Sequence, residues 1–185
     1  MQLIEFFEQN TEGKKFKLLA TKSEAELIAL EKLTASRNSP GPVDDDEVVF
    51  HQILDPTNLT ESRDGLSPKS FDTATGIGMS VNRLKYATLN EMKVLGEARA
   101  AAFNANFPEN PQPRSFWGLV PIDVAVVRSL VSKVTNTRGL FVFDTALPND
   151  ISHADIAQLT RDERRFRAVR LELYDIVKGS AFRCE

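Results

Sequence analysis

An α+β domain built on a mainly antiparallel, twisted sheet is the fold class this chain predicts, and three observations carry it. Runs rich in β-branched and aromatic residues stand at 48–54, 117–122 and 139–144. Three capping boxes, Ser23-Glu24-Ala25-Glu26, Thr88-Leu89-Asn90-Glu91 and Thr160-Arg161-Asp162-Glu163, mark helix starts. Strands and helices intermix without the regular alternation of a doubly wound sheet. At 185 residues with 42% apolar content, the chain suits one compact domain.

The first 35 residues carry local structure of their own. Leu3, Ile4, Phe6 and Phe7 form an apolar cluster, and Asn10-Thr11-Glu12-Gly13 reads as a turn. Phe16, Leu18 and Ala20 alternate with other residues and predict a short strand. The Ser23 box then opens a helix in which Leu27, Leu30 and Leu33 recur at helical spacing. Ser39-Pro40-Gly41-Pro42 cannot continue it, and the run Asp44-Asp45-Asp46-Glu47 is expected to be solvated. Residues 1–46 are therefore expected to be a helical appendage packed against the rest, with an acidic, exposed linker, and 47–185 the main domain.

In that main domain the strand at 48–54 stops at Asp55-Pro56, and Asp64-Gly65 and Ser67-Pro68 signal turns. A second strand is expected at 76–81. The Thr88 helix runs to about residue 102 and ends before Pro108, Pro111 and Pro113. After the strand at 117–122, residues 124–134 read as a helix, and 139–144 is the clearest strand. Ser152 and Asp155 fit an N-cap and its N3 partner, which puts His153 at the first position of a helix. The last helix carries Phe166, Val169, Leu173, Ile176 and Val177 on one stripe, with Gly179 as its stop.

Composition narrows the function. Net charge is −3, so nucleic acid is disfavoured despite Arg161, Arg164, Arg165, Arg167 and Arg170. The single cysteine, Cys184, excludes an internal disulfide and points to a reducing compartment. The first residues lack the features of a signal peptide, and no run is long and apolar enough to span a membrane, so a cytoplasmic location is expected. There is no Cys-x-x-Cys pair and no phosphate loop ending in Gly-Lys, so no metal is expected. Gly76-Ile77-Gly78 lacks the third glycine of a dinucleotide loop and reads as a tight turn.

What remains is a small set of polar residues at strand ends. His51 and His153 are the only histidines and the candidates for catalytic proton transfer. Ser80, Asn82 and Arg83 follow a strand in the sequence Ser-Val-Asn-Arg, where Arg83 could fork onto a phosphate or carboxylate. Residues 48–102 resemble the opening half of ADP-ribosyltransferase-like folds: a strand with His51, a Gly65-Leu66 loop with Phe71, a strand with Ser80, then a helix. The resemblance implies a nucleotide or phosphate-bearing ligand, with NAD as the cofactor and His51 contacting it. The family's catalytic glutamate has no counterpart, because Glu163 and Glu172 fall in an expected helix. The chain also resembles uncharacterised bacterial proteins with a late Asn-x-x-x-His-Ala-Asp-Ile segment, here Asn149 to Ile156. The competing expectation is a non-catalytic interaction protein (an immunity protein, antitoxin or regulatory subunit) that docks a protein partner through residues such as Phe6, Phe7 and Trp117.

Overall fold

The structure is a computed structural model that describes residues 3–10, 12–133, 135–159 and 168–184. Three short helices come first: α1 (Leu3–Gln9), α2 (Glu12–Leu19) and α3 (Glu24–Glu31). Strand β1 (Val48–Asp55) leads through a 3₁₀ helix (Pro68–Ala74) to β2 (Met79–Arg83). Helix α4 (Leu89–Asn106), β3 (Ser115–Asp123), α5 (Val124–Ser129), β4 (Leu140–Asp144), β5 (His153–Gln158) and α6 (Ala168–Val177) follow. The five strands form one sheet in the order β3-β1-β2-β5-β4, with every neighbouring pair antiparallel. No described helix is long and apolar enough to cross a membrane.

Residues directly opposite in an antiparallel ladder share a face, so the register sorts the sheet into two sides. Val49 faces Arg83 and Ile122, Val81 faces Ala154, and Val142 faces Ile156. This first face is the main core, closed by the 3₁₀ helix through Phe71, by α5 through Val124 and Val127, and by α6 through Val169 and Leu173. The second face carries Phe50 opposite Asn82, Asn82 opposite His153, and Ser80 opposite Asp155. It is covered in two separate places. The three N-terminal helices sit over Phe141, Phe143 and Ala157 at one edge, and α4 sits over Phe50 and Leu119 at the other.

Several sequence expectations are corrected. Residues 16–20 belong to α2 and the turn after it, not to a strand, because Lys15, Phe16, Leu19 and Ala20 are buried together at helical spacing while Lys14, Lys17 and Leu18 face out. Leu3, Phe16, Leu19 and Leu27 are all buried, at about 1.5–3 kcal/mol each, so the N-terminal helices are part of the fold's second core. The linker is not wholly solvated either. Val43 is buried, and the carbonyls of Gly41 and Pro42 accept hydrogen bonds from Arg83.

The helix expected at 124–134 ends at Ser129, where Val131 turns into an antiparallel bridge with Arg138. The expected helix at His153 is instead β5. Ala154 and Ile156 point into the main core while His153 and Asp155 point the other way, a period of two that a helix cannot satisfy. The strand expected at 76–81 begins at Met79. Gly76 and Gly78 have φ of +99° and +86°, the tight turn that their sequence predicts, and a Cβ on Gly78 would lie 2.6 Å from the Phe16 ring. The Ser23 and Thr88 capping boxes both form, whereas Thr160 to Glu163 and the arginines at 161–167 lie outside the described residues. In α6, Val169, Leu173 and Val177 are buried, but Ile176 is exposed.

Candidate functional site

On the second face, a polar stripe over β2 and β5 separates the two apolar clusters. Its floor is a closed hydrogen-bond chain. Gln52 Nε2 donates to Asn82 Oδ1 at 3.0 Å, and Asn82 Nδ2 donates to Asp150 Oδ2 and to Ser152 Oγ, both at 2.8 Å. Ser152 Oγ donates to Asp150 Oδ1 at 2.6 Å. Gln52, Asn82 and Ser152 are all buried, and this pairing offsets the cost of burying their amides and hydroxyl.

At the other side of the stripe, His153 Nδ1 lies 3.1 Å from the Thr145 carbonyl oxygen and 3.0 Å from Thr145 Oγ1. A carbonyl only accepts, so Nδ1 carries the proton that it donates to Thr145 O. Thr145 Oγ1 donates to Asp155 Oδ2 at 2.9 Å, and Lys15 Nζ stands 3.9 Å from the same oxygen. Ser80 is half-buried beside them, cross-strand from Asp155. Ser80, Asn82 and His153 therefore share one face.

His51 and Arg83 belong to the opposite face. His51 is buried, with Nδ1 2.9 Å from the Ser80 carbonyl oxygen and its ring 6.0 Å from that of Phe71. Its Nε2 faces the Ser70 backbone without reaching hydrogen-bond geometry. Burial pulls the imidazole pKa down from 6.5 to about 4 against the help of the Ser80 carbonyl, so the ring is neutral near pH 7.

Arg83 is completely buried, and four hydrogen bonds hold its guanidinium. Nε and Nη2 fork onto the Glu47 carboxylate at 2.8 and 2.6 Å. Nη1 donates to Gly41 O at 2.7 Å and Nη2 to Pro42 O at 3.0 Å. Nη1 also lies 3.5 Å from Asp144 Oδ1, and the guanidinium carbon sits 4.6 Å from the centre of the Tyr86 ring. Burial pushes the Glu47 carboxyl up, but the hydrogen bonds from Arg83 and the Asp44 amide hold it below its ordinary range. Asp144 goes the other way. Burial outweighs the attraction of Arg83 and raises its pKa to about 6.

Beside the stripe, between α4 and the loop joining β4 to β5, runs a groove of about 410 Å³. Tyr86, Val94, Leu95 and Ile151 give it apolar walls, Val94 being 55% exposed and Ile151 48%. Asp150 and Ser152, the partners of Asn82, reach it from below, and Glu91 lines it from α4. It holds the two carboxylates of Glu91 and Asp150 and no lysine or arginine. The arginines that line other cavities are already paired: Arg37 with Glu8, Arg128 with Asp45 and Glu31, Arg138 with Glu31. The apolar residues expected at an interface are more enclosed. Phe6 and Phe7 pack on the N-terminal cluster and Trp117 on the main core. No group of three or more His, Cys, Asp or Glu suited to a metal occurs among the described residues.

Sequence reading missed Gln52, Asp150 and Ser152, and the groove they support. Gln52 was discoverable from period two, because it follows Phe50 on the same side of β1. Ser152 reads in the sequence as a helix cap beside His153, and Asp150 as part of the Pro-Asn-Asp loop before it. No family model, curated protein or solved structure matches this chain.

Proposed function

We propose that this is a non-catalytic interaction protein that docks a basic, apolar segment of a partner protein in the groove between α4 and the β4–β5 loop. The observation that carries this reading is the groove's chemistry. Exposed Val94 and Ile151 offer apolar contact, and Glu91 and Asp150 supply negative charge with no lysine or arginine among the lining residues. Such a site attracts lysine or arginine and repels phosphate. A nucleotide enzyme would want a free guanidinium, whereas Arg83 spends its donors on Glu47, Gly41 and Pro42. Burial of His51 also removes it from solvent, which leaves His153 as the histidine open to a ligand.

A charge-matched pair of peptides tests this reading by NMR. A short Arg-Phe-Leu-Arg peptide should shift the amide signals of Tyr86, Val94 and Ile151, and its Glu-Phe-Leu-Glu counterpart should not. Equal shifts from both peptides, or shifts confined to other parts of the chain, would remove charge selection from the groove and the reading with it.

A further inference from the structure

The end of α4 remote from the groove carries a surface of the opposite character. Phe103 and Phe107 stack with ring centres 4.8 Å apart, and the Arg114 guanidinium lies 3.3 Å over the Phe103 ring. Phe107 is 56% exposed. The returning loop is pinned to the helix by Asn104, whose Nδ2 donates to Arg114 O at 2.8 Å and whose Oδ1 accepts from Arg114 N at 2.7 Å. These bonds hold the Arg114 backbone against the end of the helix before anything binds, which lowers the ordering cost of an interface. No carboxylate of the described residues pairs with Arg114, and the Arg99 guanidinium stands close enough to repel it. A fixed aromatic surface with an uncompensated cation asks for a partner that is both apolar and acidic.

The groove at the other end of the same helix is apolar and acidic. The geometry points to a second copy of this chain as the groove's occupant, with the Phe107 and Arg114 surface of one copy seated against Val94, Ile151, Glu91 and Asp150 of the other. This rests on the docking reading above and names its partner. Helix α4 has 18 residues, a length of about 27 Å, so the two surfaces sit at its opposite ends. Two copies related by a two-fold axis across α4 make the contact twice and close the assembly as a dimer. Single-stranded nucleic acid, the other macromolecule that stacks on phenylalanine and arginine, needs a track of cations along its backbone. The acidic groove next along the helix supplies the wrong sign.

Sedimentation equilibrium of the full chain tests this directly. Between about 1 and 200 μM, where an interface of modest strength is partly formed, the chain should be a dimer in equilibrium with monomer. Arg114→Glu and Val94→Arg should each weaken association by at least about tenfold and leave the thermal melt unchanged at concentrations low enough for the wild type to be monomeric, since neither side chain is part of a core. Mixing the two variants should restore a 1:1 complex, because each retains the surface that the other has lost. A wild-type chain that stays monomeric overturns the inference, as does a dimer indifferent to both substitutions or a mixture that forms no complex. A labelled single-stranded oligonucleotide that binds the wild-type chain but not Arg114→Glu also overturns it. Monomeric wild type would leave the docking groove itself intact, since that reading stands or falls on the peptide pair.

Discussion

Arg83 and Asp144 face each other at the end of the sheet with 3.5 Å between Nη1 and Oδ1, and neither side chain is exposed. The guanidinium ties β2 to Glu47 just ahead of β1 and to the Gly41 and Pro42 carbonyls of the linker. Arg83 therefore holds the crossing from the N-terminal helices into the sheet. Arg83→Ala would leave Glu47 and Asp144 buried without their counterion, and a loss of about 3–5 kcal/mol is expected in urea denaturation. Arg83→Lys should recover only part of it, because a lysine cannot fork onto Glu47 while reaching both carbonyls. A loss below about 1 kcal/mol for the alanine variant would show that the clamp is not what closes the linker.

Two buried groups give stability opposite slopes with pH. Asp144 has its folded pKa raised from 3.8 to about 6, so the native state binds the proton more tightly. Its contribution is present below pH 3.8 and is lost as pH rises through 6. His51 has its folded pKa lowered from 6.5 to about 4, so its contribution is present above 6.5 and is lost as pH falls through 4. Each effect is worth on the order of 3 kcal/mol at most. Between pH 4 and 6 they partly cancel. Asp144→Asn should steepen the loss of stability on acidification, and His51→Gln should flatten it. Both are read from denaturation midpoints at pH 7 and pH 5. A common slope for wild type and both variants would contradict the assignment.

Glu31 is the second buried charge that joins the N-terminal helices to the sheet. Its Oε1 accepts from Arg138 Nη2 at 2.5 Å, from Arg128 Nε at 3.2 Å and from the Val142 amide at 2.6 Å. Glu31→Ala should cost about 3 kcal/mol or more, since two guanidiniums and an amide lose their acceptor together. Glu31→Gln should cost less, because one oxygen remains to accept. Hydrogen exchange of the Val142 amide would report the same loss locally, and unchanged protection would argue against the bond.

Much of the framework was legible because it rests on local signals. Ser23 and Thr88 cap helices through side chains three residues apart, and β1 and β4 are dense in β-branched and aromatic residues. The candidate site was less legible, because burial and partners are tertiary. Ser-Val-Asn-Arg places Ser80 and Asn82 on one face and Arg83 on the other, which alternation dictates once β2 is known to run to Arg83. That Arg83 meets Glu47 and not a ligand depends on a residue 36 positions away. The strand at His153 was hidden because Ser152 and Asp155 carry the spacing of a helix cap while pairing with β2 and β4 decides the backbone. Glu31 could have been found from its place four residues after the buried Leu27.

The central claim is that this chain docks protein at the α4 groove and does not hold a nucleotide. Isothermal titration of the full chain with NAD, ADP-ribose and the Arg-Phe-Leu-Arg peptide addresses it most directly. The account predicts no heat from either nucleotide down to a Kd of about 1 mM, and binding of the peptide that Val94→Arg abolishes. Binding of NAD or ADP-ribose at micromolar strength, lost in Ser80→Ala or His153→Ala and untouched by Val94→Arg, would contradict it.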